Sequence, residues 1–173
     1  MTASSRPSDP RQAPLAYLGD LRPAFVAHLA DRLADQIGRQ CGEIDAATGV
    51  SAPNRTHSVV LYLADHGPAS LAEIARLDGQ AHQLLAARLA PLEQMGLVER
   101  VDDPGDARRR PYRLTRAGRR EAGQIRENTR RIAAAMRSLS DDLGIDLMAE
   151  LERAGALLHE RSLAQRIDLL EGA

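Results

Sequence analysis

The chain contains no lysine and no tryptophan, and among its 173 residues it holds one cysteine, one phenylalanine and three tyrosines. Each scarcity excludes something. A lone thiol, Cys41, cannot close an internal disulfide, so nothing points to an oxidising compartment. Four scattered rings (Tyr17, Phe25, Tyr62 and Tyr112) argue against binding unpaired bases by stacking on aromatic platforms. Because all 23 basic residues are arginine, any phosphate contact is made by a planar guanidinium fork rather than by a point charge. No stretch approaches the roughly 18 apolar residues of a membrane span. The first fourteen residues, MTASSRPSDPRQAP, lack the apolar core of a signal peptide, and the expectation is a cytoplasmic protein. Motifs of catalysis are missing as well: there is no glycine-rich phosphate loop, nucleophile elbow or carboxylate constellation. The five histidines, at 28, 57, 66, 82 and 159, have no paired ligand spacing. The reading is therefore a non-enzyme with no metal and no cofactor.

What is present is the composition of a soluble globular protein, 43% hydrophobic and 27% charged. The net charge of −1 hides an uneven distribution, since residues 99–131 hold eleven arginines against six acids. A basic segment in an otherwise acidic chain is what a local polyanion site needs, although solvated helix faces look the same.

Beyond a disordered tail at residues 1–14, Leu18, Leu21, Phe25, Leu29, Leu33, Ile37, Cys41 and Ile44 recur at helical spacing and predict one long amphipathic helix to about Gly49. Cys41 on this stripe reads as a small buried apolar residue, with a redox-sensing thiol as the other possibility. A second helix is expected over about 56–65, and a short one after Ser70. Asp78-Gly79 marks a turn, and a further helix follows with Leu85, Leu89 and Leu92 inward. Two short helices joined by a glycine-bearing turn form a helix-turn-helix pattern. Pro91 should kink the second or weaken its last turn. LVERV and Pro111–Leu114 predict a two-stranded hairpin around an exposed loop, with proline implying an edge strand that has a free side. Thr115 caps a long helix to about Ser138, and Ser140 caps a last one carrying Leu143, Leu147, Leu151 and Leu158, with Asp141-Asp142 in its first turn. The tail beyond about Ile167 reads as loose.

Leu97-Val98-Glu99-Arg100, then Asp103-Pro104-Gly105-Asp106-Ala107-Arg108, then Leu114-Thr115-Arg116-Ala117-Gly118 run without a gap. These segments resemble the MarR-type (multiple antibiotic resistance regulator) winged helix-turn-helix family, which reads there as GLV-x-R, DP-x-D-x-R and LT-x-x-G. The resemblance implies a mainly α fold with a small β-hairpin wing. Its N-terminal dimerisation helix would cover 15–50, its DNA-binding lobe 55–115 and its C-terminal dimerisation helices 116–170. It further implies a homodimer on a pseudo-palindromic duplex, with a recognition helix in the major groove and a wing in the minor groove. By position Arg108 is the minor-groove arginine and Asp106 its support, with Arg109 and Arg110 beside it. A polar turn with self-capping aspartates accounts for 103–106 equally well on spacing alone.

The recognition helix departs from the family, which commonly has serine, threonine and arginine where Gln83, Leu84, Ala86 and Ala87 stand. Candidate base readers are Gln80, His82, Gln83 and Arg88, with Ala86 and Ala87 limited to methyl contacts such as those to thymine. Family members often bind small aromatic or anionic effectors between the dimer helices and the lobe, and Phe25, His28, His57 and Tyr62 are the candidates here. The function implied is a repressor released by a small effector. The alternative is a winged helix that binds protein and has little specific DNA binding.

Overall fold

The computed structural model describes residues 14–79, 81–102 and 110–172. Ala16–Phe25 winds as 3-10 turns broken at Gly19 (φ 53°, ψ −126°). The helices that follow are α1 (Val26–Ala47), α2 (His57–His66), α3 (Leu71–Asp78) and α4 (His82–Gln94). Strands β1 (Val98–Arg100) and β2 (Tyr112–Leu114) come next, then α5 (Arg116–Leu143), α6 (Leu147–Glu160) and α7 (Leu163–Glu171). The architecture is the expected one, mainly helical with a single small hairpin. The first helix is shorter than its apolar period predicts. Pro23 has no N–H to donate to an α-helical ladder, the segment around it winds as 3-10 turns, and regular α-helix begins only at Val26.

The helix-turn-helix is built by local chemistry. Ser70 Oγ accepts from the Glu73 amide at 3.2 Å, and the Glu73 carboxylate accepts from the Ser70 amide at 2.7 Å, a closed capping box at the start of α3. Gly79 closes α3 with φ 63°, a conformation that favours glycine. In α4, Leu85, Leu89 and Leu92 are fully buried and share one core with Val59, Val60, Leu63, Ile74, Ala75, Leu114 and Ile125. Each such leucine contributes roughly 1.5–3 kcal/mol of burial free energy. Pro91 does not end the helix, which continues to Gln94 with the Pro91 carbonyl accepting from Met95 N at 2.9 Å.

The hairpin pairs Val98 with Leu114, Glu99 with Arg113 and Arg100 with Tyr112. Its outer edge is not free, contrary to expectation. Tyr112 N donates to Ala69 O at 2.8 Å and Ala69 N donates to Tyr112 O at 3.0 Å, so β2 is flanked on both sides. Pro111 stands just before the paired residue, where its missing donor costs nothing.

Helix α5 starts against this sheet. Thr115 Oγ1 accepts from Gly118 N at 3.1 Å and donates to Gly96 O at 2.7 Å. A Cβ on Gly118 would lie 2.0 Å from Leu97 O. The LT-x-x-G motif is thus a cap and a close crossing of helix over strand. Helix α5 then runs unbroken to Leu143, where Gly144 ends it, so Ser140 and Asp141-Asp142 lie in its last turns and not at the start of another helix. The cap of α6 is Asp146, which accepts from Ala149 N at 3.1 Å, while Ser140 Oγ accepts from Leu147 N at 3.3 Å. Ile167 lies not on α6 but on a separate helix, α7, begun by a Ser162–Gln165 capping box and running to Glu171, past the point where a loose tail was expected.

Both ends of the chain expose apolar side chains that the 50–125 core does not cover. Leu21, Phe25, Val26 and Leu33 stand out before and along α1. Leu143, Met148, Leu151, Leu158, Leu163, Ile167 and Leu170 do so from the end of α5 onward. Met148 is 68% exposed and Leu170 80%, far outside the pattern of the core. No helix of the described residues is long and apolar enough to cross a membrane.

Candidate nucleic-acid interface

Helix α4 has two faces. Its inner row is fixed by the three buried leucines, and Gln83, Leu84, Ala87 and Ala90 stand exposed away from that row. At 100° per residue Gln83, Ala87, Ala90 and Gln94 lie opposite Leu85, with Leu84 beside them. Ala86 is half-buried and lies off this surface, as does Arg88. Of the sequence-based candidates, Gln83 therefore lies on the open face, while His82 is exposed in the first turn, about 60° around the axis from Leu85. Arg88 faces sideways, toward α1, and Gln80 lies outside the described residues.

The wing is described only at its root. Asp106, Arg108 and Arg109 lie outside the described residues. Arg110 is exposed and stands 3.5 Å from Asp102. Below it, Arg113 pairs across the strands with Glu99 at 2.8 Å, and Arg100 bonds to Glu93 at 3.2 Å. Arg100 also donates a short hydrogen bond to the Tyr112 hydroxyl and lies 4.7 Å from the centre of that ring. Burial pushes the Tyr112 phenol above its ordinary value, partly offset by the Arg100 guanidinium. These pairs hold the base of the hairpin in register, since the cross-strand partners are the ones the pairing dictates. Arg116 and Arg120 add exposed positive charge in the first turns of α5, next to the wing root.

The four effector candidates do not meet within one chain. Phe25 and His28 lie at the start of α1, both exposed. Tyr62 is half-buried and stacks on His66, with centroids 4.6 Å apart. His57 is interior. Its Nε2 lies 3.2 Å from Ala52 O and 3.6 Å from Asp45 Oδ2, at the far end of α1 from Phe25. Twenty residues of helix separate those ends, about 30 Å at 1.5 Å per residue. His57 belongs to a buried polar junction that sequence reasoning missed. Asn128 of α5 donates to Asp45 Oδ1 at 2.9 Å and to Thr48 Oγ1 at 2.7 Å, and Gln124 donates to Asn128 Oδ1 at 3.2 Å. Glu121 accepts from the amides of Ser51 and Ala52, both at 2.6 Å. Together these bonds tie α1, the loop before α2, and α5. Nothing in the local sequence marks Asn128, because its partners lie some 80 residues away.

One groove combines charge with space. It opens between α1 and the start of the lobe, about 820 Å³, and is lined by Asp35, Arg39, Pro53, Asn54, Arg55 and Arg88 among others. Three arginines from α1, the loop before α2, and α4 converge there against one acid. None of Phe25, His28, His57 and Tyr62 lines it.

Residues 43–109 match the MarR family. No curated protein matches the chain. Among solved structures, the S. aureus MepR–DNA complex is similar at 17% identity and a TM-score of 0.63, covering 77% of this chain and 98% of that one. The PcaV transcriptional regulator from Streptomyces coelicolor, in complex with its natural ligand, is similar at 23% identity and a TM-score of 0.60, covering 79% and 94%. The transcriptional repressor CouR, bound to a 23-mer DNA duplex, is similar at 23% identity and 0.59, covering 81% and 96%. At these identities the likeness shows a shared fold.

Proposed function

We propose that the chain, whose residues 43–109 match the MarR family, is a homodimeric, sequence-specific DNA-binding transcriptional regulator of that family. In this reading it is a cytoplasmic repressor that a small effector releases from a pseudo-palindromic operator. One observation carries the reading: α4 is anchored by a fully buried leucine row while its opposite face stands open at the protein surface. A helix so held presents side chains to a partner without itself moving. The major groove of B-DNA admits a helix of that width.

In this reading the lobe is 55–115, between dimerisation helices at 15–50 and 116–170. Gln83 and His82 would meet base edges. Arg108, supported by Asp106, would enter the minor groove with Arg109 and Arg110 on the flanking phosphates, where negative potential draws arginine. Arg116 and Arg120 continue that basic surface. The apolar stripes exposed at both ends of the chain would cover one another across a two-fold axis, which sets the two lobes a fixed distance apart. The arginine-lined groove between α1 and α4 is the place for a small anionic effector, in preference to the four dispersed residues named from sequence. An occupant there would pull on Arg88 of α4 and on α1 together.

The test is a gel-shift titration with duplex fragments from immediately upstream of the gene. Two chains per duplex and an affinity that falls steeply with salt are expected, because each neutralised phosphate releases counterion. Arg108→Ala should weaken binding about tenfold, on the scale of a lost charged groove contact. The reading fails if no fragment shifts at any salt concentration. That outcome favours a winged helix that binds protein.

A further inference from the structure

Of the large hydrophobic side chains the protein exposes, nearly all belong to the two end regions that would form the dimer. In the winged lobe only Leu84, 49% exposed, and Met95 are open among the described residues. They differ in place. Met95 follows the last residue of α4, at the end that runs into β1, whereas Leu84 lies in its first turn, between Gln83 and the buried Leu85. Around Leu84 the open face is short of hydrogen-bonding groups. Ala87 and Ala90 carry one methyl each, and Gln83 is the only amide in the N-terminal half. The surface that would enter the groove is thus mostly hydrocarbon, with one bidentate reader at its centre.

We propose that Leu84, backed by Ala87, is a specificity-determining residue that reads the 5-methyl group of thymine in the major groove. This rests on the DNA-binding reading above and deepens it. The chemistry is selective because thymine alone presents a methyl group on the major-groove edge, while the other three bases present only donors, acceptors and a C–H there. An isobutyl group laid over cytosine gains no contact and strips water from the N4 amino group, which disfavours that base. Gln83, one position before, pairs with adenine N6 and N7. The two neighbours on one helix face therefore select an adjacent adenine and thymine, an A/T-rich core in each half-site. Ala86, to which the sequence assigned a methyl contact like that of Ala87, is half-buried and takes no part.

The probe is the duplex family enriched by the full-length protein from a randomised 30-base-pair pool. Enriched sites should carry a dyad-related thymine in each half. Each such thymine is then replaced by deoxyuridine, which removes the methyl group and leaves pairing intact. The wild-type protein should lose roughly three- to fivefold in affinity per methyl removed, the value of one buried methyl group. Leu84→Ala should bind the thymine and uracil duplexes within twofold of each other, while its melting temperature stays at the wild-type value because the side chain lies outside the core. Leu84→Met, which keeps apolar reach, should retain most of the preference. The proposal is overturned if uracil is tolerated by the wild type at every position, or if Leu84→Ala discriminates as the wild type does; either result leaves DNA binding standing. Failure of the protein to enrich any sequence overturns the DNA-binding reading and this proposal with it.

Discussion

A methyl group built on Gly118 would stand 2.0 Å from the carbonyl oxygen of Leu97 and 3.2 Å from Leu114 Cδ2. Helix propensity alone favours alanine over glycine there by about 0.8–1 kcal/mol. The crossing reverses that sign, because the clashing atom is backbone and cannot swing aside. Gly118→Ala should lower stability by about 2–3 kcal/mol, read from the denaturant midpoint at unchanged m-value. A gain in stability would show that α5 does not cross so closely. The interior polar junction gives a second residue-scale prediction. Asn128→Ala strips Asp45 Oδ1 of its donor and should cost about 1–3 kcal/mol. Combining it with Asp45→Ala should cost less than the two single losses added together, since each partner is then gone. A strictly additive pair would mean the bond contributes nothing. Tyr112 supplies a titration. Its folded-state value is raised by burial, so its stabilising contribution is complete below the ordinary tyrosine range and is lost as pH climbs through the raised value. In an ultraviolet titration one phenol should ionise above the ordinary tyrosine range, and Tyr112→Phe should remove that step. Earlier ionisation would place the ring in solvent.

Among the elements, α4 is the one whose outer face can be changed without touching the fold. Gln83→Ala should leave the melting temperature unaltered and relax the sequence preference at one base pair per half-site, about tenfold in discrimination at that pair. Unchanged preference in a selection experiment would remove Gln83 from the readers. Helix α4 was legible in the sequence because its leucines recur at helical spacing and Asp78-Gly79 punctuates the turn before it. The hairpin was legible from its β-forming residues, but not its third partner. Ala69 is a single bridging residue between helices, with no strand pattern of its own, and only tertiary placement brings it to Tyr112. The end of α5 was misread for a different reason. Ser140 followed by two aspartates is good cap chemistry, yet Gly144 and Asp146, four and six residues on, offer a better stop and start, and the chain uses those. The tip of the wing, on which the family resemblance rests most heavily, lies outside the described residues. Of the motif's other segments, Thr115 to Gly118 proves to be structural.

At the scale of the whole molecule, the lobe completes its own core while the end helices do not. Leu151 is 57% exposed and Leu158 48%, on the same face of α6 and a little under two turns apart. Charges placed there would be harmless on a true outer surface and costly inside an interface. Leu151→Glu with Leu158→Glu should convert a dimer of twice the 18.8 kDa chain mass into monomers by light scattering, with the lobe still folded by circular dichroism. A dimer that survives both changes would place the interface elsewhere. In the proposed dimer, two α4 helices related by a two-fold axis would need two half-sites on one side of the duplex. Hydroxyl-radical footprinting of the wild-type protein on its own upstream DNA measures that directly. Two dyad-related protected patches, about one helical turn apart from centre to centre, are predicted; a single unsymmetric patch, or no protection below the concentrations of non-specific binding, would contradict a dimeric reader of DNA.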